Sequence, residues 1–389
     1  MRFYCLLVII FPIFVACAST PSRIAKRIVA SDESSVAEAI NSRSFPSIFQ
    51  AWVPLTTAGA ADPAISLAQH DLIWQGIGVW GLKCANATFM GLCISFSDQS
   101  VAAALRTRDQ LKQINPHIVL LAEIRYHDAS AGYLPADSPW WARDTNGNRI
   151  PKTHGSSTNN YFMLDFTNSD FQNRVADLCK SVILSGVVDG CMFDWWNNET
   201  PAHVTMIKKI RATAGDSAIL IANVNGTLPK QSAPLLNGIF MEGFGAPFFS
   251  NWQTARSNLI WANSHFRAPV ITALDGWGDI STDGKPMRFS LALSLVFSNG
   301  YFIWGNQLHS HIWHQLWNKE LGRPLTVQTI DVSADGSYRR EYENGIVVLN
   351  PPNNTDITLD FTEQRTRAST NAVGTQHILQ SGDGDLFLK

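Results

Sequence analysis

The sequence predicts an α/β chain, a (β/α)8 TIM barrel followed by a small C-terminal antiparallel β domain. Three observations predict it. Eight short apolar runs alternate with mostly helical segments over roughly 270 residues, the length and rhythm of a parallel barrel. Those runs end repeatedly in an acid or an amide, as strands feeding one polar mouth would. Residues 53–62, after the first run, carry no glycine-rich fingerprint, which argues against a doubly wound nucleotide-binding sheet.

Taken in order, Ser47 to Trp52 reads as the first strand and Pro63 to His70 as a short helix. Asp71 to Gln75 is the second strand, and Ser97 to Ile114 a helix with Val101, Leu105 and Leu111 on its apolar side. His117 to Ile124 is the third strand. Residues 128–164 form a long insertion rich in Trp, Gly, Asn and Ser; a structureless stretch of that length is usually functional. Asn168-Ser169-Asp170 is an N-cap signal for a helix to Leu184, which Ser185-Gly186 breaks. Val187 to Asp194 is the fourth strand and Pro201 to Thr213 a helix. Ala218 to Asn223 and Asn237 to Glu242 are the fifth and sixth strands, with a helix at Asn251 to Asn263. Pro269 to Leu274 is the seventh strand, Lys285 to Phe297 an apolar helix, and Gly300 to Trp304 the eighth strand. The barrel is thus expected over residues 45–322. The texture then changes: Glu343-Asn344-Gly345 between two apolar runs is a hairpin signal. Residues 323–389 are expected to form a β-sandwich-like domain.

Composition narrows the function. A net charge of −2 gives no electrostatic reason to expect nucleic acid or an anionic membrane surface. Thirteen tryptophans exceed what a core requires and suit a cleft that stacks on sugar rings. Residues 1–20 read as an export signal: Arg2 begins it, and Leu6 to Val15 is too short to span a bilayer. Val15-Ala16-Cys17 resembles a lipobox, with Phe14 where leucine is usual, so Cys17 is expected to carry a lipid anchor. A signal-peptidase site at Ala16-Cys17-Ala18 is the alternative. Either way the chain is exported, to the periplasm, the cell surface or the medium, with residues 21–44 as a tether. Export favours a disulfide between Cys84 and Cys93. Cys179 and Cys191 read equally well as two buried thiols or a second bridge.

The predicted strand ends supply the candidate chemistry. Gln50 and Trp52 stand on the first, Gln75 on the second, and Glu123, Arg125 and His127 at the third. Asp194 ends the fourth, Asn223 and Asn225 the fifth, Glu242 the sixth, Asp275 the seventh (with Trp277 beyond) and Trp304 the eighth. Glycosidic cleavage needs one ionised carboxylate and one held protonated. Asp194 and Glu242 are the best pair, each closing an apolar strand. Trp52, Gln75, Arg125, His127, Trp141, Trp195, Trp196, Asn223, Asn225, Asp275, Trp277 and Trp304 are the expected substrate-binding residues. Blander roles compete: Asp194 as a turn cap, Glu242 paired with Arg125 or Arg267, Asp275 in a turn before Gly276, and the tryptophans as packing. His309, His311 and His314 look like a ligand cluster, but the start of a polar helix is the simpler reading. No Cys or His cluster has zinc spacing, so neither metal nor cofactor is expected. No Gly-x-Ser-x-Gly elbow is present.

One succession of motifs resembles a known family. Trp140 to Asn148, then Leu164 to Asn168, then Asp189 to Asp194 match W-x-x-x-D-x-x-G, D-x-x-N and D-G-x-x-x-D in order. Met241-Glu242-Gly243, Gly300-Tyr301-Phe302, Leu321 to Pro324 and Arg340 to Gly345 follow. The succession resembles glycosyl hydrolase-like family 15, bacterial glycoside-hydrolase-like TIM barrels, over residues 45–389. The resemblance implies a barrel with a C-terminal β domain acting on carbohydrate. It also implies Asp194 as nucleophile and Glu242 as general acid/base, hydrolysing an oligo- or polysaccharide with retention. A non-catalytic carbohydrate-binding barrel is the alternative.

Overall fold

The computed structural model describes residues 33–52, 63–86, 91–154, 157–244, 251–281, 284–328 and 331–389. The export signal, Cys17 and the first half of the tether lie outside the described residues.

The predicted barrel is present. Its strands are β1 (Phe49–Ala51), β2 (Leu72–Gly76), β3 (Val119–Glu123), β4 (Gly190–Phe193), β5 (Ile219–Asn223), β6 (Gly238–Met241), β7 (Ile271–Trp277) and β8 (Tyr301–Gly305). They pair in parallel, in chain order. A parallel bridge between Ile48 and Phe302 brings β1 against β8 and closes the ring. Nearly every strand residue is buried, as parallel strands covered on both faces require. Gly238 has a steric reason to be glycine: a Cβ there would stand 1.7 Å from the Ile271 carbonyl oxygen of the next strand.

Helices α1 (Glu33–Ser42), α2 (Pro63–Ala68), α3 (Asp98–Ile114), α4 (Ser169–Leu184), α5 (Pro201–Ala214), α6 (Trp252–His265) and α7 (Lys285–Phe297) surround the strands. The α4 helix shows the logic. Asn168 Oδ1 accepts from the Asp170 and Phe171 amides, satisfying two donors of the first turn. Phe171, Val175, Cys179 and Val182, at helical spacing, face the barrel. Gly186, at φ +72°, lets the chain turn into β4. Cys179 and Cys191 form a disulfide that ties α4 to β4, and Cys84–Cys93 forms a second. After β5 and β8, single 3-10 turns (Ala233–Leu235 and Gln315–Asn318) stand where a regular barrel would carry helices. His309, His311 and His314 therefore do not begin a polar helix.

The insertion after β3 is not structureless. It folds into three antiparallel strands, Asp128–Ser130, Ser157–Met163 and Pro151–His154, the second in the middle. Trp141 is the core of that unit. It is buried, it donates to the Pro135 carbonyl at 2.8 Å, and the Arg149 guanidinium lies 5.2 Å from its ring.

The C-terminal strands are β9 (Tyr338–Tyr342), β10 (Gly345–Asn350), β11 (Ile357–Arg367), β12 (Val373–Leu379) and β13 (Asp383–Leu388). Among the described residues they form one antiparallel sheet, in the order β9-β10-β13-β11-β12. The helix α7 packs on one face of β10 and β13, and on the other face Ile346, Val348 and Phe387 form a second core with Ile357, Leu359 and Leu379 of β11 and β12. Close approach is the reason for Gly384, where a Cβ would lie 2.4 Å from Ala292 Cβ of α7.

Buried Arg340 locks this sheet to the barrel. Its Nη1 donates to the carbonyls of Leu295 and Ser298 at the end of α7, at 2.9 and 2.7 Å, and its Nη2 to Asn299 Oδ1 at 2.6 Å. Replacement of Arg340 by Met keeps the apolar stem and removes those donors, leaving buried acceptors unsatisfied. The expected cost is about 2–4 kcal/mol, read as a lower midpoint in thermal or urea unfolding; an unchanged midpoint would contradict this role.

Candidate active site

The carboxyl ends of the parallel strands meet at one mouth. Asp194 follows β4, Asn223 ends β5, Glu242 follows β6 and Asp275 lies within β7. Asn223 Nδ2 donates to Asp194 Oδ1 at 2.8 Å and to Glu242 Oε2 at 2.6 Å. One amide thus holds both acids, each with an oxygen on the same nitrogen.

His309, in the loop after β8, completes the network. Its Nδ1 lies 2.8 Å from Asp275 Oδ2 and its Nε2 3.4 Å from Glu242 Oε1. The loop is shaped by Asn306, whose Oδ1 accepts from the Leu308 and Ser310 amides. His309 itself has φ +60°, a left-handed backbone uncommon for any residue but glycine. Trp52, half-buried, donates to Glu123 Oε2 at 3.0 Å, and its ring sits 5.1 Å from that of His309. Trp277, also half-buried, donates to Asp275 Oδ2 at 2.9 Å. Arg125 reaches Glu123 and Asp128 at 3.6 and 3.7 Å. Beside this pair lies a cavity of 370 Å³ lined by Gly76, Glu123, Arg125, Tyr133 and Tyr161 among others.

The electrostatics separate the two acids. Burial, then the charges of Glu123 and Glu242, raise the Asp194 carboxyl to about 7, against the bonds from Asn223 and the Trp195 amide. Burial alone would raise Glu242 too, but the bonds from His309 and Asn223 outweigh it and bring Glu242 below its ordinary value. His309 is raised to about 9: burial opposes its charge, and the contacts with Asp275 and Glu242 overcome that. Asp275 is raised by burial to about 6 despite His309 and Trp277. At neutral pH the site therefore holds an ionised Glu242, an imidazolium on His309, and an Asp194 partly protonated.

Raised to about 7, Asp194 favours folding while protonated, and that contribution is lost as pH rises through 7. Replacement of Asp194 by Asn removes a carboxylate that is costly to ionise. The variant is expected to melt higher than wild type at pH 8 and within error of it at pH 4. Equal midpoints at both pH values would show that Asp194 ionises without penalty.

The remaining expected residues divide. Trp196, Trp141 and Trp304 are core residues, not sugar platforms. Trp196 is wholly buried. Trp304 is buried under Gly276 and Gly278 and donates to the Asp279 carbonyl at 2.9 Å. Trp195 has His127 stacked on it at 5.3 Å and the Lys152 ammonium 3.9 Å from its centroid, so its ring is engaged by the chain itself. His127 is also paired with Asp128 at 3.0 Å. Gln75 is buried within β2, and Asn225, at φ +52°, is exposed in the turn after β5. Glu242 is paired with His309 rather than with Arg125 or Arg267, and Arg267 pairs with Asp216. Sequence reasoning missed His309, whose only signal was a polar, histidine-rich loop following the eighth strand. Among the described residues no group of three or more His, Cys, Asp or Glu side chains is arranged to hold a metal ion.

No protein-family model matches the chain, and no curated protein matches it. The resemblance to glycosyl hydrolase-like family 15 rests on the motif succession alone. Solved structures do share its fold. An α-amylase from Lactobacillus plantarum has a TM-score of 0.56 at 10% identity, covering 90% of this chain and 99% of its own. A noncanonic maltogenic α-amylase from Thermotoga neapolitana has a TM-score of 0.53 at 10% identity, with 91% and 100% covered. The cyclic α-maltosyl-(1→6)-maltose hydrolase of Arthrobacter globiformis has a TM-score of 0.52 at 10% identity, with 90% and 99% covered. In fold, this chain is similar to the barrels of α-amylase-type glycoside hydrolases.

Proposed function

We propose that the protein is a glycoside hydrolase acting on an oligo- or polysaccharide, with Asp194 and Glu242 as its catalytic carboxylates. The observation that carries this reading is the shared amide of Asn223. With one nitrogen 2.8 Å from Asp194 Oδ1 and 2.6 Å from Glu242 Oε2, those oxygens are at most about 5.4 Å apart, closer than the ~6.5–9.5 Å of inverting enzymes and on the side of the ~5–5.5 Å of retaining ones. The fold supports the reading, as does the family resemblance; the exported, lipid-anchored location read from residues 1–20 belongs to the same proposal.

The electrostatics favour roles opposite to those the resemblance implied. Glu242, kept ionised by His309 and Asn223, is the nucleophile. Asp194, held near neutrality, is the general acid and then the base. Both hydrogen bonds to Asp194 fall on Oδ1, so Oδ2 is the oxygen that carries the proton. That proton goes to the glycosidic oxygen as Glu242 attacks the anomeric carbon, giving a glycosyl ester and a free leaving-group hydroxyl. Asp194, now ionised, takes a proton from water, and the water opens the ester. Trp52 and Trp277 are the indoles placed to stack on the sugar.

The test is a panel of glycans, with product configuration followed by NMR. Retained configuration supports the pair, and inverted product excludes a glycosyl ester. Mass mapping of a 2-fluoroglycoside adduct on Glu242 fixes the roles, and an adduct on Asp194 reverses them. The pH profile is a further expected result. Activity should fall as pH rises through about 7, where Asp194 loses the proton it must donate. A profile flat to pH 9 would remove Asp194 as the acid. A barrel that binds glycans without cleaving any would establish the non-catalytic alternative.

A further inference from the structure

A second pair of histidines lies outside the catalytic scheme. His70, between α2 and β2, and His311, in the loop after β8, are both wholly buried. Their Nε2 atoms are 2.9 Å apart, and their ring centroids 5.2 Å. The second distance is the first lengthened by about a ring radius at each end. The two nitrogens therefore point at each other along one line, the geometry of an N–H···N hydrogen bond. The far nitrogens are also committed. His70 Nδ1 is 3.0 Å from the Leu67 carbonyl oxygen, and His311 Nδ1 is 3.1 Å from that of His309. A carbonyl only accepts, so each Nδ1 is a donor and carries a proton. The contact between the Nε2 atoms then needs a third proton, whereas two neutral imidazoles hold two.

The far end of this chain of bonds is the catalytic network. The carbonyl that receives His311 belongs to His309, whose ring spans Asp275 and Glu242. A non-glycine residue at φ +60° persists only where surrounding contacts hold it. We propose that His70 is a positioning residue: its hydrogen bond to His311, closed by one extra proton, clamps the His309 backbone so that the His309 ring stays on Glu242. This rests on the reading of Glu242 as a catalytic carboxylate. His309 and His314 are the ionisable groups that face His311, and Asp71 adjoins His70 with its carboxylate on the Ile48 amide and Asn115. Burial and the adjacent imidazoles oppose charge on the pair, drawing His70 to about 3 and His311 to about 4. The clamp therefore tightens as pH falls, and it holds His309 on Glu242 where Glu242 would otherwise begin to take up a proton.

The test uses the full chain, labelled with 15N-histidine, as wild type, His70→Leu and His70→Gln. In wild type at acid pH the pair should show three ring N–H protons, and two would overturn the extra-proton clamp. In His70→Leu the His309 titration should fall by about one pH unit. The acid limb of kcat/KM should rise by a similar amount, with kcat down about tenfold near pH 4, where His311 takes up the extra proton, and KM within about twofold. His70→Gln, which keeps a donor for His311 but takes up no extra proton, should keep the neutral-pH rate near wild type while the acid limb still moves; it also serves if leucine does not fold. An unmoved His309 titration in a folded His70 variant overturns the proposal. If wild type cleaves no glycan, the glycosidase reading fails, and the NMR result alone decides whether the clamp exists.

Discussion

Replacement of Glu242 by Gln is expected to lower kcat/KM by at least about 10³-fold on every glycoside, whatever its leaving group. The amide has the size of the carboxylate and can still accept from Asn223, but it offers one acceptor oxygen instead of two and cannot form the glycosyl ester. Asp194→Asn should behave differently. On a natural glycan, whose leaving hydroxyl needs a proton, the loss should again reach about 10³-fold. On a dinitrophenyl glycoside, whose leaving group departs unprotonated, the first step should survive and the second should slow, because no base activates water. Azide does not need that base. It should rescue Asp194→Asn and return a glycosyl azide of retained configuration, whereas azide acting on a Glu242 variant should give the inverted product. Rescue with the configurations exchanged would return the roles to those implied by the family resemblance. Full activity in both variants would eliminate the two-carboxylate mechanism.

The second large effect is expected at His309. Its imidazolium lies against two carboxylates, the proposed nucleophile Glu242 and the wholly buried Asp275. His309→Gln removes the positive charge, so Glu242 should titrate higher and the acid limb of kcat/KM should move up. A loss of about 10²-fold near pH 5 is the expected scale for an electrostatic partner of this kind. The same change leaves Asp275 with Trp277 as its remaining side-chain donor. A buried carboxylate stripped of its cation favours its protonated form more strongly, so His309→Gln should raise the titration of Asp275 and lower the melting temperature. Adding Asp275→Asn should recover much of the melting temperature and little of the activity. That separation distinguishes an electrostatic role at Glu242 from a structural one at Asp275, and recovery of both together would merge them.

Several elements were legible before any coordinates because they depend on near neighbours in the chain. The apolar runs of four to six residues and the helical spacing of Phe171, Val175, Cys179 and Val182 are local patterns. So is the N-cap at Asn168. A carboxylate at the end of a barrel strand is equally a local reading, because strand direction and barrel closure carry every such end to one mouth. Asp194, Asn223 and Glu242 were found in that way. The nine-residue spacing of Cys84 and Cys93, in a chain whose first residues read as an export signal, needed no more than loop closure.

What the tertiary structure alone decided concerns side chains whose neighbours lie far away in sequence. Cys179 and Cys191 pair because α4 lies back along β4, a contact that thiol spacing does not reveal. Trp141, Trp196 and Trp304 differ from Trp52 and Trp277 only in burial, which depends on what folds over them. In the β-rich C-terminal region, α7 covers one face of β10 and β13, and Arg340 reaches carbonyls more than forty positions earlier in the chain. His309 is the plainest case. Its sequence setting is a polar loop, and its direction comes from a left-handed backbone held by Asn306 and His311. The sequence by itself determined the barrel and the acids at its strand ends, because strand periodicity and strand polarity are written residue by residue. Which acid is ionised was decided only in three dimensions, because burial and charge at Asp194 and Glu242 are sums over groups that the fold brings together.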